Sequence, residues 1–256
     1  MIDAHIHIER GPYTASWINE FVKIAQTRNI DEIWLLEHCY RFCEFVPMYS
    51  EVCAYSDYIE KWFTRKAGVL CLEDYLKLIE NIRHESYPVK IRFGLEVCYF
   101  KEYEELVREN TYKKGLNFLV GSVHFIDNFA FDHKAEHWNG MDVDRLYRRY
   151  FEISVDLAKS GIYNGIAHPD CIKLFGHKPS FSLLPYYEEL GKALAVNNMY
   201  AEQSSGIKRR VNAEIGMNSD MLNAMKWHGV KIVTASDAHC PEDVGLYLYE
   251  AKEKLL

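Results

Sequence analysis

The chain has 256 residues, of which 48% are hydrophobic and 26% charged, and its formal net charge is −7. This composition excludes a disordered chain and suits one large α/β domain, predicted to span residues 1–256. The acidic balance disfavours a nucleic-acid partner, because the chain has no surplus of cations to neutralise a phosphate backbone. No apolar run reaches the roughly 18 residues that a membrane span needs, so a membrane protein is disfavoured as well.

Seven short, largely apolar segments recur along the chain, with amphipathic helical patterns between them. Such segments are typical of strands in a parallel sheet that is covered on both faces. Seven strand–helix units in one domain predict a closed or nearly closed parallel barrel. The predicted strands are residues 2–7, 32–38, 90–97, 117–125, 163–168, 199–204 and 231–239.

One segment, residues 39–68, interrupts this alternation. It is too long for an ordinary strand-to-helix loop, and it is rich in aromatic and acidic residues. Two interpretations stay open: an insert that packs on the rim of the barrel, and a lid over the site.

The cysteines and the first residues of the chain indicate where the protein works. Seven scattered cysteines without a CxxC pair are typical of reduced thiols rather than of a disulfide framework. Residues 1–7 carry no basic stretch followed by an apolar one, so they do not resemble a signal peptide. Both observations predict a cytoplasmic location, whereas the sequence indicates no oligomeric state.

Histidine and acidic residues stand at the ends of six of the seven predicted strands. In a parallel α/β barrel these ends open onto one face, which hosts the active site. We therefore expect these side chains to surround one crater. They are Asp3, His5, His7, Glu37, His38, Glu96, His124, His168, Asp170, Asp237 and His239.

The spacing of these residues indicates a metal centre. His5 and His7 are two apart, so on a strand both imidazoles point to the same side and can reach one cation. Asp237 and His239 repeat this spacing on the last predicted strand. Imidazole suits Zn, Mn or Fe, and a carboxylate can bridge two such ions. An HxH pair alone is a weak signal, but the combination at several strand ends is strong.

Seven short motifs, in this order and spacing, carry a resemblance that covers nearly the whole chain. They are residues 3–7 (DAHIH), 37–38 (EH), 94–96 (GLE), 121–125 (GSVHF), 167–170 (AHPD), 173–177 (KLFGH) and 236–239 (SDAH). Together they resemble the PHP family (polymerase and histidinol phosphatase domain), most closely its monofunctional histidinol-phosphate phosphatases. The resemblance implies a distorted (β/α)7 TIM-like barrel with parallel strands and two or three divalent ions, Zn, Mn or Fe.

Carried over position by position, the resemblance implies three ligand sets that share residues. The first set is His5, His7, Glu96 and Asp237, the second is Glu96, His124 and His168, and the third is His38 and His239 with a further ligand. The family usually supplies that further ligand as a histidine a few residues past the HxH pair. Residues 8–13 of this chain contain no histidine, so Glu9, Glu37 or a water is left as the substitute.

The expected chemistry is hydrolysis of a phosphomonoester by a hydroxide that two ions share. Glu96 and Asp237 would hold these ions as catalytic residues. The leaving oxygen needs a proton or a third ion, which His239, His38 or a bound water could supply. In the resembled phosphatases a Gly-x-basic-basic loop lies near the substrate, which assigns Lys208 and Arg209 to the phosphate. The alternative for this loop is an ordinary solvated basic stretch.

The leading hypothesis is a phosphatase that converts L-histidinol phosphate to L-histidinol and phosphate in histidine biosynthesis. Another phosphomonoester or a nucleotide is an alternative substrate within the same class. A second enzyme class, the amidohydrolase-type C–N hydrolases, also uses HxH and a terminal Asp, but it usually needs a lysine where Glu96 stands. A barrel that binds metal without turnover is the non-enzymatic alternative. The expected partner is a small phosphorylated substrate, with no nucleic acid and no membrane.

Overall fold

Parallel strands form the centre of the fold. Within residues 1–211 and 213–256, which the computed structural model describes, seven strands lie side by side in chain order and every neighbouring pair is parallel. This arrangement, with helices around it, confirms the predicted (β/α)7 TIM-like barrel. The strands are β1 (Ile2–His7), β2 (Glu32–His38), β3 (Lys90–Cys98), β4 (Phe118–Ser122), β5 (Gly165–Ile166), β6 (Tyr200–Ser204) and β7 (Ile232–Ala235).

Helices follow the strands and cover the barrel. In α1, the apolar residues Ile18, Phe21, Val22 and Ala25 recur at helical spacing and are buried, and Thr14 caps the helix by accepting a hydrogen bond from the Trp17 amide. The α-helices are α1 (Ala15–Thr27), α2 (Ser50–Tyr55), α3 (Asp57–Lys66), α4 (Leu72–Arg83), α5 (Glu104–Thr111), α6 (Val143–Lys159), α7 (Leu184–Val196), α8 (Gly206–Val211), α9 (Ser219–Trp227) and α10 (Leu248–Glu253). No helix in the described part of the chain is long and apolar enough to cross a membrane.

The first and last strands meet and nearly close the barrel. The His7 amide donates to the Ala238 carbonyl at 2.7 Å, just beyond the end of β7. The buried Asp3 carboxylate accepts hydrogen bonds from the amides of Ser236, at 2.8 Å, and Gly245, at 2.9 Å. Asp3 therefore links β1, the first strand, to the segment that follows β7, the last strand.

A bulge in β1 aims the HxH pair into the barrel. The register of β1 against β2 shifts between Asp3 and Ile6. Ala4 packs in a small buried cluster with residues of five other strands or their ends, and its neighbour His5 nevertheless faces the site. Because consecutive strand residues normally face opposite sides, the bulge is what lets both residues point inward.

The segment between β2 and α4 is folded rather than a loop. Residues 39–71, the rim segment, contain two 3₁₀ turns, Cys39–Arg41 and Cys43–Tyr49, followed by α2 and α3. Its buried apolar residues, among them Phe45 and Met48, pack on the main hydrophobic core. This packing is what the rim interpretation of residues 39–68 expects. The same segment also lines the cavity described below, so the lid interpretation stays open.

Several functional residues lie beyond the strands rather than on them. β7 ends at Ala235, so Asp237 and His239 lie in the following loop, and Asp237 has a positive φ of 53°. The expectation that these two residues repeat the i, i+2 strand geometry of the HxH pair was wrong. His124 and His168 likewise follow the ends of β4 and β5.

Candidate metal centre

A cavity of about 320 Å³ opens at the carboxyl ends of the strands. Six of the eight predicted ligands line it, whereas His5 and His7 are completely buried next to it. The six are His38, Glu96, His124, His168, Asp237 and His239. The structure thus brings together residues from both ends of the chain and from its middle, as the positions of the motifs predicted.

The first ligand set converges on a single point. The Nε2 atoms of His5 and His7 lie 2.9 Å apart. Glu96 Oε2 is 3.6 Å from His5 Nε2 and 3.4 Å from His7 Nε2, and Asp237 Oδ1 is 3.7 Å from both. Two imidazole nitrogens with a carboxylate oxygen of Glu96 and one of Asp237 beside them suit a divalent cation.

Glu96 belongs to a second set through its other oxygen. Its Oε1 lies 3.0 Å from His124 Nε2 and 3.1 Å from His168 Nε2. Its Oε2 is buried and has no hydrogen-bond partner among the described residues, although His38 Nδ1 is only 2.7 Å away. The two oxygens therefore face two different groups of imidazoles, which is the geometry of a bridging carboxylate.

The third set differs from its expected composition. Ligand atoms of His7, His38 and His239 lie within 4.8 Å of one another, so His7 is near both the first and the third set. Glu9, from the loop that lacks a histidine, places Oε1 2.8 Å from His239 Nδ1. Glu37 is completely buried beside Arg41, 3.4 Å from its Nε, and burial and the nearby Glu9 raise its pKa to about 8. Of the two proposed substitutes, Glu9 is the one in contact with the set.

Carboxylates on the far side of the imidazoles orient three of the histidines. Glu202 contacts His5 Nδ1 at 3.0 Å, and Asp132 contacts His124 Nδ1 at 2.8 Å, as Glu9 does for His239. A carboxylate that accepts the Nδ1 proton leaves Nε2 free for a metal and raises its basicity. Sequence reasoning missed Glu202 and Asp132. For Glu202 there was a signal, because it is an acidic residue within the predicted strand 199–204.

The electrostatics of the cluster depend on the balance between burial and neighbouring charges. Burial favours the neutral form of Glu96, but the imidazoles of His38 and His5 outweigh it and hold its pKa well below the usual range. Burial also opposes a charge on His124, yet Asp132 and Glu96 raise its pKa to about 10. Without metal, protons on the imidazoles therefore compensate the buried carboxylates, and a cation can take their place.

Asp237 keeps its position because its neighbour has no side chain. A Cβ built on Gly206 would lie 2.5 Å from Asp237 Oδ2 and 2.8 Å from its Cβ. Real Cβ atoms do not approach other atoms that closely. Glycine at the first position of α8 thus provides the space that the Asp237 carboxylate occupies.

Residues 208–210, the predicted basic loop, lie in α8, and their two arginines make contacts with other residues of the chain. Arg209 pairs with Asp243 Oδ2 at 2.7 Å and also donates to the Asp237 carbonyl. Among the described residues that line the cavity, the basic side chains are Arg10, Lys66 and Arg210 beside the histidines, and neither Lys208 nor Arg209 is included. Arg210 donates to the Asp132 carbonyl at 3.1 Å. The assignment of Lys208 and Arg209 to the substrate stays a prediction.

Comparison with known proteins places the chain in a family. The model of the PHP domain matches residues 3–206. The chain belongs to the PHP family. Two relatives show similarity over nearly the whole chain. A probable histidinol-phosphatase of Deinococcus radiodurans is 27% identical, and the alignment covers 100% of this chain and 92% of that protein. The histidinol-phosphatase of Bacillus subtilis is 25% identical and covers 97% of each.

A solved structure confirms the fold of the barrel. The crystal structure of histidinol phosphate phosphatase from Lactococcus lactis, in complex with Zn, L-histidinol and phosphate, matches with a TM-score of 0.68. The match covers 99% of this chain and 92% of that one at 18% sequence identity. The two chains therefore share their fold over nearly their full length.

Proposed function

We propose that this PHP protein is a metal-dependent phosphatase that hydrolyses L-histidinol phosphate to L-histidinol and phosphate. It would act as one domain, residues 1–256, with two or three divalent ions of Zn, Mn or Fe held by the three ligand sets. The names of its relatives support the substrate. A place in histidine biosynthesis and a cytoplasmic location are part of the same proposal. The proposed partner is the small phosphorylated substrate, without nucleic acid or membrane.

One observation carries the proposal: Glu96 is shared by two groups of imidazoles at the floor of a cavity. When bound at such a bridged site, two divalent ions activate water and offset the charge of phosphoryl oxygens. The described residues fit this role, because imidazole and carboxylate donors surround two adjacent points. Glu96 and Asp237 supply the negative charges of the first set.

The basic side chains at the cavity suit a phosphate group. Arg10 and Arg210 line the cavity from different elements, the loop after β1 and the end of α8. A guanidinium binds phosphate oxygens through two parallel hydrogen bonds, which orients the group as well as holding it. The contact between Arg210 and the Asp132 carbonyl fixes this arginine near His124.

His239 is placed to act on the leaving oxygen. Its Nδ1 contacts Glu9, and its side chain is 20% exposed at the cavity. Its Nε2 lies 3.5 Å from Asp237 Oδ1 on the side of the ligand sets. In this position His239 can either bind a further ion or deliver a proton to the alkoxide that leaves phosphorus.

The rim segment supplies the wall that faces the organic part of the substrate. Tyr58 and Trp62 line the cavity together with His133, and the Trp62 and His133 rings are 4.8 Å apart. Aromatic rings of this kind stack on planar groups such as the imidazole of histidinol. The wall therefore favours histidinol phosphate over a small aliphatic phosphomonoester.

A panel of phosphomonoesters tests the proposal. The protein, reconstituted with Zn, Mn or Fe in turn, should turn over L-histidinol phosphate with a kcat/KM at least ~100-fold above that for p-nitrophenyl phosphate or a nucleoside monophosphate. Equal values would refute the specific substrate and leave another phosphomonoester of the same class. Metal content of fewer than two ions per chain, with no phosphate released, would instead favour the barrel that binds without turnover.

A further inference from the structure

Two exposed cysteines lie side by side at the base of the rim segment. The Sγ atoms of Cys43 and Cys71 are 3.8 Å apart. Among the described residues, these two are the exposed cysteines, whereas Cys39, Cys98 and Cys171 are buried and Cys53 and Cys240 are intermediate. The pair lies outside the ligand sets and has no role in the proposed phosphatase.

The backbone already holds the two cysteines in register. Phe42 and Leu70 form a parallel bridge, and the Cys43 amide donates to the Leu70 carbonyl at 2.9 Å. On the other side, the Leu72 amide donates to the Glu44 carboxylate at 3.1 Å. A disulfide needs its two backbones close together and its sulfurs at about 2.05 Å. The paired backbones lie close together beside the two cysteines, and the sulfurs must approach from 3.8 Å to form the bond.

We infer that Cys43 and Cys71 are a redox modification site that forms a reversible disulfide. With glutathione disulfide as oxidant, one protein thiolate attacks a glutathione sulfur and releases one glutathione, which leaves a mixed disulfide. The second protein sulfur then attacks the first and releases a second glutathione. The two protein thiols lose two electrons and two protons, and glutathione disulfide is reduced to two thiols.

Glu44 contacts one of the two thiols. Its carboxylate lies 3.4 Å from Cys43 Sγ and accepts a hydrogen bond from that thiol. Desolvation, Glu44 and Cys71 together raise the pKa of Cys43 to about 11, so this thiol is protonated at neutral pH.

The bond would close residues 43–71 into a covalent loop. That loop supplies Tyr49, Tyr58, Trp62 and Lys66 to the cavity. Cross-linking removes open conformations of the loop, so the oxidised protein should hold this wall more firmly than the reduced protein.

Thiol mapping tests the site without any assay of activity. The full chain is equilibrated with glutathione disulfide, the free thiols are alkylated, and the peptides are identified by mass spectrometry. We expect a mass loss of about 2 Da per chain and one linked pair, Cys43 with Cys71, which dithiothreitol reverses. Cys43→Ser should abolish the link, and the matched variant Cys53→Ser, in the same segment, should retain it.

Two results would overturn the inference. One is complete alkylation of both cysteines after equilibration with the oxidant, and the other is glutathione on either cysteine with no cross-link. Limited proteolysis adds a second measurement: cleavage within residues 43–71 should be about tenfold slower in the oxidised protein. Equal cleavage rates of the two forms would show that the bond does not restrain the wall.

Discussion

Glu96 makes more contacts with the histidine cluster than any of the other carboxylates described above. Its Oε1 faces two imidazoles and its Oε2 lies near three others. Glu96 is therefore a member of both proposed ligand sets. Its loss should therefore affect the whole centre rather than a single ion.

Replacing Glu96 by glutamine tests this dependence. The amide is neutral and presents only one oxygen, so Glu96→Gln should lose at least one ion per chain and lower kcat by at least ~10²-fold. Metal analysis and steady-state kinetics measure the two effects. The same change at the exposed Glu105 is the matched control and should alter neither. A Glu96→Gln protein with normal metal content and rate would contradict the bridging role.

The position of the Asp237 carboxylate also depends on the absence of a side chain at Gly206. In Gly206→Ala the new methyl group would displace the Asp237 carboxylate, since the available gap is 2.5 Å. We expect metal affinity to fall 10–100-fold while the thermal transition of the metal-free protein stays within a few degrees. Titration with a competing chelator measures the affinity. An unchanged affinity would mean that another contact holds Asp237 in place.

The sequence predicted the ligands better than their supports. His5, Glu96 and the other proposed ligands could be picked out because each stands in a short motif near the end of a predicted strand. Glu202 was missed because its partner, His5, is 197 positions away and no local pattern links them. The strand geometry expected for Asp237 failed because its positive φ depends on the loop that closes the barrel, a tertiary constraint that periodicity does not reveal.

At the scale of elements, hydrophobic patterns predicted the first two strands but not the structure of the rim segment. β1 and β2 begin and end where the sequence predicted, because apolar runs with polar ends mark them. The rim segment has short helices and 3₁₀ turns, whose signals are too brief to separate from a loop. Its packing on the rim and its position beside the cavity became clear only from the tertiary contacts.

The aromatic wall of the rim segment makes a testable contribution to specificity. Trp62→Ala removes a ring beside the cavity, and we expect the kcat/KM for L-histidinol phosphate to fall about tenfold. The value for glycerol phosphate, which has no ring to stack, should change little. Trp227→Ala is the matched control, because Trp227 is 82% exposed on α9. Equal losses for both substrates would assign Trp62 to the support of the rim instead of to recognition.

At the scale of the whole molecule, the ligand sets tie together strands from the entire sheet. β1 contributes His5 and His7, β3 contributes Glu96, and the loop after β7 contributes Asp237. Ions bound among these residues, as proposed, would cross-link distant parts of the chain. Any ion that binds only the folded state also stabilises that state.

Removal of the ions should therefore lower the melting temperature. At ion concentrations 100 to 1,000 times Kd the stabilisation is about 3–4 kcal/mol, or roughly 10 °C for a chain of this size. The effect should weaken as the pH falls. In the metal-free protein the pKa of His124 is raised to about 10 and that of His239 to about 9, so below these values binding must displace protons.

Calorimetry can check this coupling directly. Titration with Zn at pH 7 in buffers of different ionisation enthalpy should show proton release on binding, and the apparent affinity should rise with pH. A binding enthalpy that does not depend on the buffer would contradict the coupling. A melting temperature unaffected by chelation would show that the ions do not link the strands.

The meeting of the two ends of the sheet also bears on how the protein is synthesised. Glu9 and His239 touch although 230 positions separate them, and the HxH pair lies even earlier in the chain. A nascent polypeptide therefore exposes its first imidazoles on the ribosome long before the residues that complete their coordination have been translated. On the proposed ligand sets, the complete centre would form only after the last motif has been translated, and a prematurely terminated product would leave its early histidines without Asp237 and His239.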